Sequence, residues 1–446
     1  MDLKKYNLSV PRYTSYPTVP FWNTQDFTPE KYEKSMQTAF WASSREVSIY
    51  IHLPFCESLC TYCACNTRIT KNHAVEEPYI QHVLKEWELY LGMLPDVPTI
   101  REIHLGGGTP TFFSAENLEV LIGGLLEKSN HSAQISMSFE GHPANTTPHH
   151  LRLLYQLGFD RLSLGIQDFD PWVLKLINRL QTFEQIQQVT LEARSIGYTS
   201  VNYDIVYGLP GQTEASLRDT INKVIRLSPD RIAYYSYAHV PGMRPTQKSY
   251  EERLPTTNQK FQFMEFGKKG LVDAGYEEVG MDHFVKSADE LVQAREAGEL
   301  HRNFMGYTPF CSQLLVGLGV SAIGDSRTGF AQNVKTVEIY YKKLDAGVLP
   351  IEKGHILTRK DLFIRQLILN LMCDFQTTWE EEELIQYGLS VNFDLLEQLS
   401  IEGFIELTKK GIVVLPAGRQ ILRVICSTLD ARLNDSGMSQ QFSKSI

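Results

Sequence analysis

The sequence lacks several features that mark common classes of protein. No uncharged apolar run reaches the roughly 18 residues that a membrane-spanning helix needs, and no apolar leader follows the first residues. We therefore expect a cytoplasmic protein without a membrane span. The formal net charge is −9, which argues against nucleic acid as the main partner because phosphate binding depends on clustered basic side chains. Low-complexity tracts and short internal repeats are also missing.

Cysteine is scarce and unevenly distributed. The 446 residues include seven cysteines, and four of these lie between Cys56 and Cys65. An odd count in a reducing compartment argues against a disulfide framework and favours metal or redox chemistry. The length exceeds that of one ordinary domain, so we expect a large domain together with a smaller one.

A regular alternation of strands and helices is predicted in the first half of the chain. Apolar, β-branched runs predict strands at 47–53, 101–105, 135–140, 161–167, 200–206 and 231–237. Helical spacing of apolar residues lies between them, at 78–94, 115–128, 149–157, 183–196 and 214–227. This alternation is typical of βαβ units and a parallel sheet. The spacing alone fits both a partial (β/α) barrel and a flat doubly wound sheet.

Polar and glycine-rich residues gather where the predicted strands end. Parallel α/β folds place their chemistry beyond the carboxyl ends of the strands. The residues at these six strand ends are, in order, the cysteine cluster, Gly106–Pro110, Glu140, Gln167, Asp204 and Ala238–His239. The sequence therefore predicts one functional face.

Cys56, Cys60 and Cys63 are predicted to bind an iron–sulfur cluster. Thiolates are soft ligands, and three of them in one compact loop can hold the corner of a cubane. One iron is then left open for S-adenosylmethionine, whose reductive cleavage gives a 5′-deoxyadenosyl radical. A zinc site usually draws cysteine pairs from separate turns, and a four-cysteine zinc knuckle is the alternative. Cys65 is open to three interpretations: a fourth ligand in a resting form, a redox residue or a packing residue.

Other residues at the same strand ends are candidates for cofactor contacts. Glycine in Gly106–Pro110 lets the backbone approach a ligand closely, although a tight turn explains the motif equally simply. Tyr62 could lie against adenine or could pack the loop. Hydrogen-bonding groups suited to the ribose and the methionine end of the cofactor are Glu140, Gln167, Arg179 and Asp204. For Arg179, capping of the preceding helix is the alternative.

The strand and helix rhythm ends near residue 285. We expect four units: an arm at 1–40 that closes the barrel, a catalytic domain at 41–285, a connecting segment at 286–350 and a C-terminal domain at 351–446. The last is predicted to be mostly helical and winged-helix-like, with helices at 362–375, 393–402 and 417–433 and a hairpin at 405–414. We expect this domain to serve packing or a lid rather than DNA binding.

Several motifs together resemble one known family. The cluster loop, Gly106–Pro110 and the strand rhythm are similar to the radical S-adenosylmethionine superfamily, and within it to the oxygen-independent coproporphyrinogen III dehydrogenases. The supporting motifs are Pro11–Thr18, His52–Cys56 with Cys65, Gly165–Phe169, Tyr207–Pro210, Tyr237–His239, Gly280–Phe284, His301–Phe304, Gly319–Ile323 and Gln441–Ser443. Segments Gly141–Ala144 and Tyr307–Cys311 depart from the family pattern.

The resemblance implies a fold, a reaction and a set of site residues. It implies an α/β fold, a partial (β/α)6 barrel with a smaller, mostly helical C-terminal domain, a [4Fe–4S] cluster and two molecules of S-adenosylmethionine. The implied reaction oxidatively decarboxylates two propionates of coproporphyrinogen III to vinyl groups, giving protoporphyrinogen IX. The implied cofactor contacts are Tyr50, Gly107, Gly108, Thr109, Glu140, Gln167, Arg179, Asp204, Ala238 and Ile323.

The substrate and partners are predicted on the same basis. Arginine suits bidentate recognition of carboxylates, so Arg12 and Arg302 are expected to bind the substrate, with Tyr13 and Cys65 as further catalytic candidates. We expect a monomer that receives electrons from a low-potential donor such as flavodoxin or ferredoxin. A haem chaperone and a radical enzyme acting on haem are the alternatives.

Overall fold

The computed structural model describes residues 3–389, 391–436 and 442–445, so the motif residue Gln441 lies outside the described residues. The strands are β1 (Glu46–Leu53), β2 (Phe55–Cys56), β3 (Arg68–Ile69), β4 (Thr99–Gly107), β5 (Asn130–Gly141), β6 (Arg161–Gln167), β7 (Ser200–Tyr207), β8 (Arg231–Ser236), β9 (Tyr276–Val279), β10 (His283–Lys286), β11 (His301–Asn303), β12 (Gly306–Thr308), β13 (Leu315–Leu318), β14 (Ile323–Asp325), β15 (Gly329–Asn333), β16 (Ile351–Ile356), β17 (Gln376–Thr378), β18 (Ile405–Thr408) and β19 (Gly411–Val414). The α-helices are α1 (Pro29–Ala42), α2 (Glu76–Met93), α3 (Ala115–Glu127), α4 (Pro148–Gln156), α5 (Pro171–Leu176), α6 (Phe183–Ile196), α7 (Glu214–Leu227), α8 (Thr257–Asp273), α9 (Glu290–Glu296), α10 (Val337–Asp345), α11 (Arg359–Asp374), α12 (Glu381–Gln386), α13 (Phe393–Ile401), α14 (Leu422–Ser427) and α15 (Ala431–Ser436).

One large sheet organises the first three quarters of the chain. Its strand order is β16-β15-β14-β13-β1-β4-β5-β6-β7-β8-β10-β9. The run from β13 to β8 is parallel, and both edges are antiparallel. The six predicted strands are confirmed as β1 and β4 to β8, and the sheet extends between two edges as the predicted partial barrel requires.

Side-chain alternation explains why these strands are buried on both faces. In β1, the residues Val47, Ile49, Ile51 and Leu53 are fully buried on one face, against the helices. Successive strand residues point to opposite faces, so the intervening polar residues point into the barrel. Most of the helices around the sheet bury one stripe of residues, and several are capped at their amino ends; Thr213, for example, forms a capping box at the start of α7.

The connecting segment contributes to the sheet, which the sequence did not indicate. We expected a connection without the strand rhythm, but β13 lies parallel to β1, with Ser48 opposite Leu315 and Ile51 opposite Leu318. Strands β14 to β16 then extend this edge antiparallel. A four-residue strand is too short to show a period, and its partner is distant in the sequence, so local patterns could not reveal it.

The C-terminal part combines helices with a small sheet. The predicted hairpin is confirmed as β18 and β19, and β17 adds a third strand that the sequence analysis missed. The single helix predicted over 417–433 is wrong. A 3-10 helix at Pro416–Ile421 and α14 are followed by a turn, and Asp430 accepts a hydrogen bond from the Leu433 amide (3.0 Å) as α15 begins. This carboxylate competes with a continuous helix by capping the next one.

The amino-terminal arm packs against the C-terminal part. The buried Arg423 guanidinium donates to the carbonyls of Val10, Pro11 (3.0 Å) and Lys444 (3.0 Å). The Tyr13 hydroxyl donates to Asp430 (3.0 Å). The four-unit division of the chain stays a prediction. Within the described residues, no helix combines the length and apolar character needed to cross a bilayer.

Candidate active site

A cavity of about 450 Å³ lies at the carboxyl ends of the parallel strands. Its lining includes all four clustered cysteines, Cys56, Cys60, Cys63 and Cys65. The predicted cofactor-binding residues that also line it are Tyr62, Gly107, Gly108, Thr109, Glu140, Gln167, Arg179 and Asp204. The strand-end rule therefore brought residues from the ends of five parallel strands to one place, and Arg179 joins them from the end of α5.

The cysteine loop presents three thiols as soft donors toward this cavity. Cys56 Sγ lies 3.3 Å from Thr109 Oγ1, and Cys60 Sγ accepts from Arg179 Nη1 at 3.6 Å. Among the described residues, no three His, Cys, Asp or Glu side chains converge on one point as a single ion would require. A cubane takes each thiolate on a different iron, so the donor set fits an iron–sulfur cluster.

The free thiols differ in acidity. Burial raises the pKa of Cys56 to about 11. A hydrogen bond with Cys65 lowers the pKa of Cys63 to about 6 and, in return, raises the pKa of Cys65 well above its ordinary value. Cys63 is therefore the most acidic of the four thiols in this loop.

The segment after β8 fastens the outer side of the cysteine loop. Arg244 donates to the carbonyls of Ala64 and Cys65 (3.1 Å), and Thr246 donates to the Thr61 carbonyl (3.2 Å). These bonds saturate loop carbonyls that would otherwise need water, so the loop is held without regular secondary structure. Sequence analysis did not identify this segment, because its residues carry no motif.

A row of polar side chains crosses the barrel interior behind the glycine segment. Tyr50 faces His104 across the β1–β4 register, with ring centroids 5.9 Å apart and nearly parallel. The Tyr50 hydroxyl lies 3.1 Å from His52 Nδ1, and His104 Nε2 lies 3.6 Å from Glu140 Oε1. The two histidines were missed, although the alternation of β1 places His52 on the same face as Tyr50.

Gly107 is the point of closest approach in this row. Its φ is +112°, and a Cβ there would lie 2.7 Å from the His52 ring. Its amide donates to Glu140 Oε2 at 3.2 Å. Only glycine combines this backbone conformation with that clearance. The glycine motif is thus more than a simple turn.

Arg179 connects the cluster loop to β6. It is buried, and its guanidinium donates to the Gly165 carbonyl, to Cys60 Sγ and to Gln181 Oε1 (2.9 Å). The side chain is therefore directed to the cavity rather than to the carbonyls that end α5. At the end of β6, Gln167 has a φ of +69°, a strained value that residues at functional sites often adopt.

Asp204, on β7, supplies another acidic group to the cavity lining. Burial, aided by the nearby Glu140, raises its pKa to about 7, although a hydrogen bond from Asn202 (3.0 Å) opposes the shift. His142, in the segment that departs from the family pattern, also lines the cavity, and burial lowers its pKa to about 3. This histidine is neutral at physiological pH and adds no charge.

Three predicted cofactor contacts lie outside the cavity lining. Tyr50 stands behind it, as described above. The Ala238 carbonyl accepts from Gln247 Nε2 at 3.3 Å, and Ile323 opens β14 beside the Trp22 and Phe330 rings. Their roles stay predictions.

A second cavity, of about 170 Å³, adjoins the first inside the barrel. Both cavities are lined by Glu140 and Asp204, and the second adds Tyr235, His283 and Tyr307, which the sequence analysis missed. Alternation along β8 could have indicated Tyr235. His283 lies in the motif Gly280–Phe284 and Tyr307 in the departing segment Tyr307–Cys311, but neither was named as a site residue.

The two candidate substrate arginines lie beside this second cavity. Arg12 donates to the Ser236 carbonyl (3.0 Å), with its guanidinium 5.5 Å from the Tyr235 ring centre. Arg302 is buried 4.5 Å from the Tyr307 ring centre, and its Nε and Nη1 have no hydrogen-bond partner among the described residues. Tyr13 is instead buried against Asp430, away from both cavities.

Comparison with known proteins adds independent findings. A model of the radical SAM superfamily matches residues 50–224. Proteins named oxygen-independent coproporphyrinogen III oxidase from Synechocystis sp. and Escherichia coli are each 36% identical, covering 100% of this chain and 97% of the relative. The Pseudomonas aeruginosa protein of that name is 37% identical, with 100% and 98% coverage.

A solved structure agrees with the sequence relatives. Coproporphyrinogen III oxidase (HemN) from Escherichia coli, a radical SAM enzyme, matches with a TM-score of 0.87 and 33% identity, over 95% of this chain and 99% of that one. Such similarity over the whole length includes the barrel, the arm and the C-terminal part. The chain therefore belongs to the oxygen-independent coproporphyrinogen III oxidase family of radical SAM enzymes.

Proposed function

We propose that the chain oxidatively decarboxylates two propionates of coproporphyrinogen III to vinyl groups and so forms protoporphyrinogen IX. The observation that carries the proposal is the adjacency of two cavities: one is lined by the cysteine loop, and beside the other lies the buried Arg302, whose Nε and Nη1 have no partner among the described residues. The relatives of matching length and name support the same reaction.

As a radical SAM enzyme, the chain uses a [4Fe–4S] cluster and S-adenosylmethionine. We infer that Cys56, Cys60 and Cys63 hold the cluster. When bound, the cluster supplies the electron that splits S-adenosylmethionine into methionine and a 5′-deoxyadenosyl radical. Arg179 offers a cation to the methionine carboxylate, and Gly107 lets the backbone approach. A second S-adenosylmethionine is proposed from the family resemblance, because two propionates react.

The substrate is expected to bind through its carboxylates. Arg302 has free donors on a buried cation, and a propionate carboxylate would satisfy both at once. Arg12 supplies a second cation on the arm. The reaction removes one hydrogen atom from the carbon β to the carboxylate, and it then releases carbon dioxide and one electron to an acceptor. The protein contributes position and exclusion of water.

Further parts of the proposal concern the remaining candidates. Cys65, through its hydrogen bond with Cys63, and Tyr13, through the anchored arm, are proposed to support the site. We propose a cytoplasmic location, because the seven cysteines are free and a reducing compartment preserves them. A monomer is proposed as well. A flavodoxin or ferredoxin is the proposed electron donor.

The test is an anaerobic assay of the reconstituted full-length chain. Reductant, S-adenosylmethionine and coproporphyrinogen III are added, and mass spectrometry follows the porphyrin and 5′-deoxyadenosine. We expect loss of two carboxyl groups together with 5′-deoxyadenosine. Formation of 5′-deoxyadenosine with untouched porphyrinogen would reject the substrate but keep the radical chemistry. Tight haem binding without either product would instead favour a chaperone.

A further inference from the structure

An exposed apolar surface lies directly outside the cysteine loop. Leu59, in the loop itself, is 39% exposed, Trp172 is 50% exposed and Leu180 is 76% exposed. Leu59 and Leu180 both line the mouth of the cluster cavity. Large apolar side chains grouped on a surface cost hydration free energy, so they commonly mark a binding site.

Direct contacts make this surface continuous. Asn178 Nδ2 donates to the Leu59 carbonyl (2.7 Å), and the Thr61 amide donates to the Ile177 carbonyl (3.0 Å). These bonds join the cysteine loop to the segment between Trp172 and Leu180. On the other side, the Arg253 guanidinium lies 5.3 Å from the Trp172 ring centre. The cysteine loop, α5 and the segment 244–253 after β8 therefore form one face.

Basic side chains surround the apolar residues of this face. Lys175 is one helical turn from Trp172 on α5, so the two point the same way. Arg244 contacts the backbone of the cysteine loop, and Arg253 covers Trp172. Among the described residues, none of these three cations has a carboxylate partner, in a chain whose net charge is −9. These cations are therefore free to pair with carboxylates of another molecule.

The nearby carboxylates do not pair with these cations. Asp170 accepts from the amides of Trp172 and Val173 as the cap of α5, and Glu251 pairs with His239 at 2.8 Å. Glu57 lies 3.8 Å from His73. Glu252 is exposed on the same segment as Arg253. Three of these four carboxylates have contacts of their own, and among the described residues none of the four forms an ion pair with Lys175, Arg244 or Arg253.

We propose that this docking face, formed by Leu59, Trp172, Lys175, Leu180, Arg244 and Arg253, binds an acidic one-electron carrier protein. The proposal rests on the proposed function only in placing the cluster at Cys56, Cys60 and Cys63. The docked carrier loses one electron and the cluster gains one, and no proton or group is transferred. Electron transfer slows steeply with distance, and this face is the protein surface that the cysteine loop itself reaches.

The chemistry of the face suits a brief redox encounter. Complementary charge speeds association, and aromatic and arginine residues provide a small core that excludes water. Interfaces between redox partners are typically small, so a few side chains suffice to form one. An acidic partner is favoured because, among the described residues, Lys175, Arg244 and Arg253 form no ion pair and can pair with its carboxylates.

The test separates docking from cluster chemistry. The double variant Lys175→Glu/Arg253→Glu is compared with Lys34→Glu/Lys409→Glu, which makes the same charge change at exposed lysines without a carboxylate partner on α1 and the C-terminal hairpin. Reduction of the cluster in the reconstituted full chain is followed by stopped-flow absorbance and electron paramagnetic resonance. The reductant is dithionite, reduced flavodoxin or a reduced plant-type ferredoxin.

We expect the docking-face variant to lose on the order of tenfold in rate with a carrier protein at low ionic strength, and less in high salt. Its reduction rate with dithionite should equal that of the unmodified chain. The control variant should be reduced at the same rate as the unmodified chain by every reductant. Trp172→Ser, which keeps the charges, should slow the carrier at all salt concentrations. An unchanged rate with both carriers, or an equal loss in the control pair, would overturn the proposal. If dithionite reduces no cluster in the unmodified chain, the result rejects the proposed function rather than the docking face.

Discussion

At the scale of the residue, the site depends on side chains that hold other side chains. Glu140 accepts a hydrogen bond from the Gly107 amide and lies near His104. Arg179 donates to Cys60 Sγ and to the Gly165 carbonyl near the end of β6. Each group therefore has a defined position before any ligand arrives. Such preorganisation means that small changes at the glycine segment should have effects beyond their size.

Gly107→Ala is expected to weaken S-adenosylmethionine binding by on the order of tenfold and to destabilise the fold by about 1–3 kcal/mol, because the new Cβ meets the His52 ring at a positive φ. Calorimetric titration and urea unfolding measure the two effects. Gly123→Ala on α3 is the matched control, since nothing lies within 4 Å of its added Cβ. Equal affinity in both variants would show that the clearance at Gly107 is unimportant.

Arg302→Met should separate binding from stability. Two buried donors of the guanidinium have no acceptor among the described residues, so its removal should leave the free energy of unfolding unchanged or raise it, while affinity for coproporphyrinogen III falls at least about tenfold. Fluorescence titration under anaerobic conditions and thermal unfolding provide the readouts. Arg302→Lys keeps the charge but not the fork of donors, so its substrate affinity should lie between that of the unmodified chain and that of the methionine variant. Full substrate affinity in the methionine variant contradicts the assignment.

At the scale of the element, buried groups tie strands to helices that are distant in the sequence. Glu86 on α2 is fully buried and accepts from the Gly319 amide (2.8 Å), from Asn333 on β15 (2.6 Å) and from Tyr340 on α10 (2.6 Å). One carboxyl thus fixes the turn between β13 and β14. That turn packs behind His52, at the end of β1 that leads into the cysteine loop.

Glu86 should make stability depend on pH. Burial raises its pKa from 4.5 to about 7, so between these values the folded state holds a proton that the unfolded state has lost. The free energy of unfolding should therefore fall by about 3 kcal/mol as pH rises through this window. Urea unfolding at pH 5 and pH 8 measures it. Glu86→Gln, which has no proton to lose, should flatten this part of the profile; an unaltered slope would contradict the assignment.

Elements with a clear period were predictable, and short or long-range ones were not. The strands β4 to β8 and the helices α6 and α7 follow directly from their apolar spacing, and α6 and α7 match the predicted bounds. The cavity lining also followed, because parallel strands end at one edge. The strand β13, the break before α15 and the unpaired donors of Arg302 depend on contacts between distant segments. No local pattern records these.

At the scale of the whole molecule, one arginine joins the two extremes of the described chain. Arg423 lies on α14 and binds carbonyls from both the arm and the segment 443–445. An arginine can serve several carbonyls at once because it carries five donors in a fixed fork. The position of Arg12 beside the second cavity therefore depends on the C-terminal part.

Arg423→Met should release the arm while leaving the barrel folded. The buried carbonyls lose their donor, so hydrogen exchange over residues 5–20 should rise, and substrate affinity should fall because Arg12 is no longer held. Mass spectrometry of exchange measures the first effect. Arg419→Met, an arginine of the same region whose guanidinium lies over the Phe375 ring, is the control. An arm that stays protected in the first variant would assign its position to other contacts.

These contacts of Arg423 also set an order of events during synthesis. Residues 8–13 leave the ribosome early, but the groups that hold them, from Arg423 to Ser445, emerge several hundred residues later. The barrel and its cysteine loop can therefore form while the arm is still loose. The arm can therefore take up its final position only after the C-terminal part has been made.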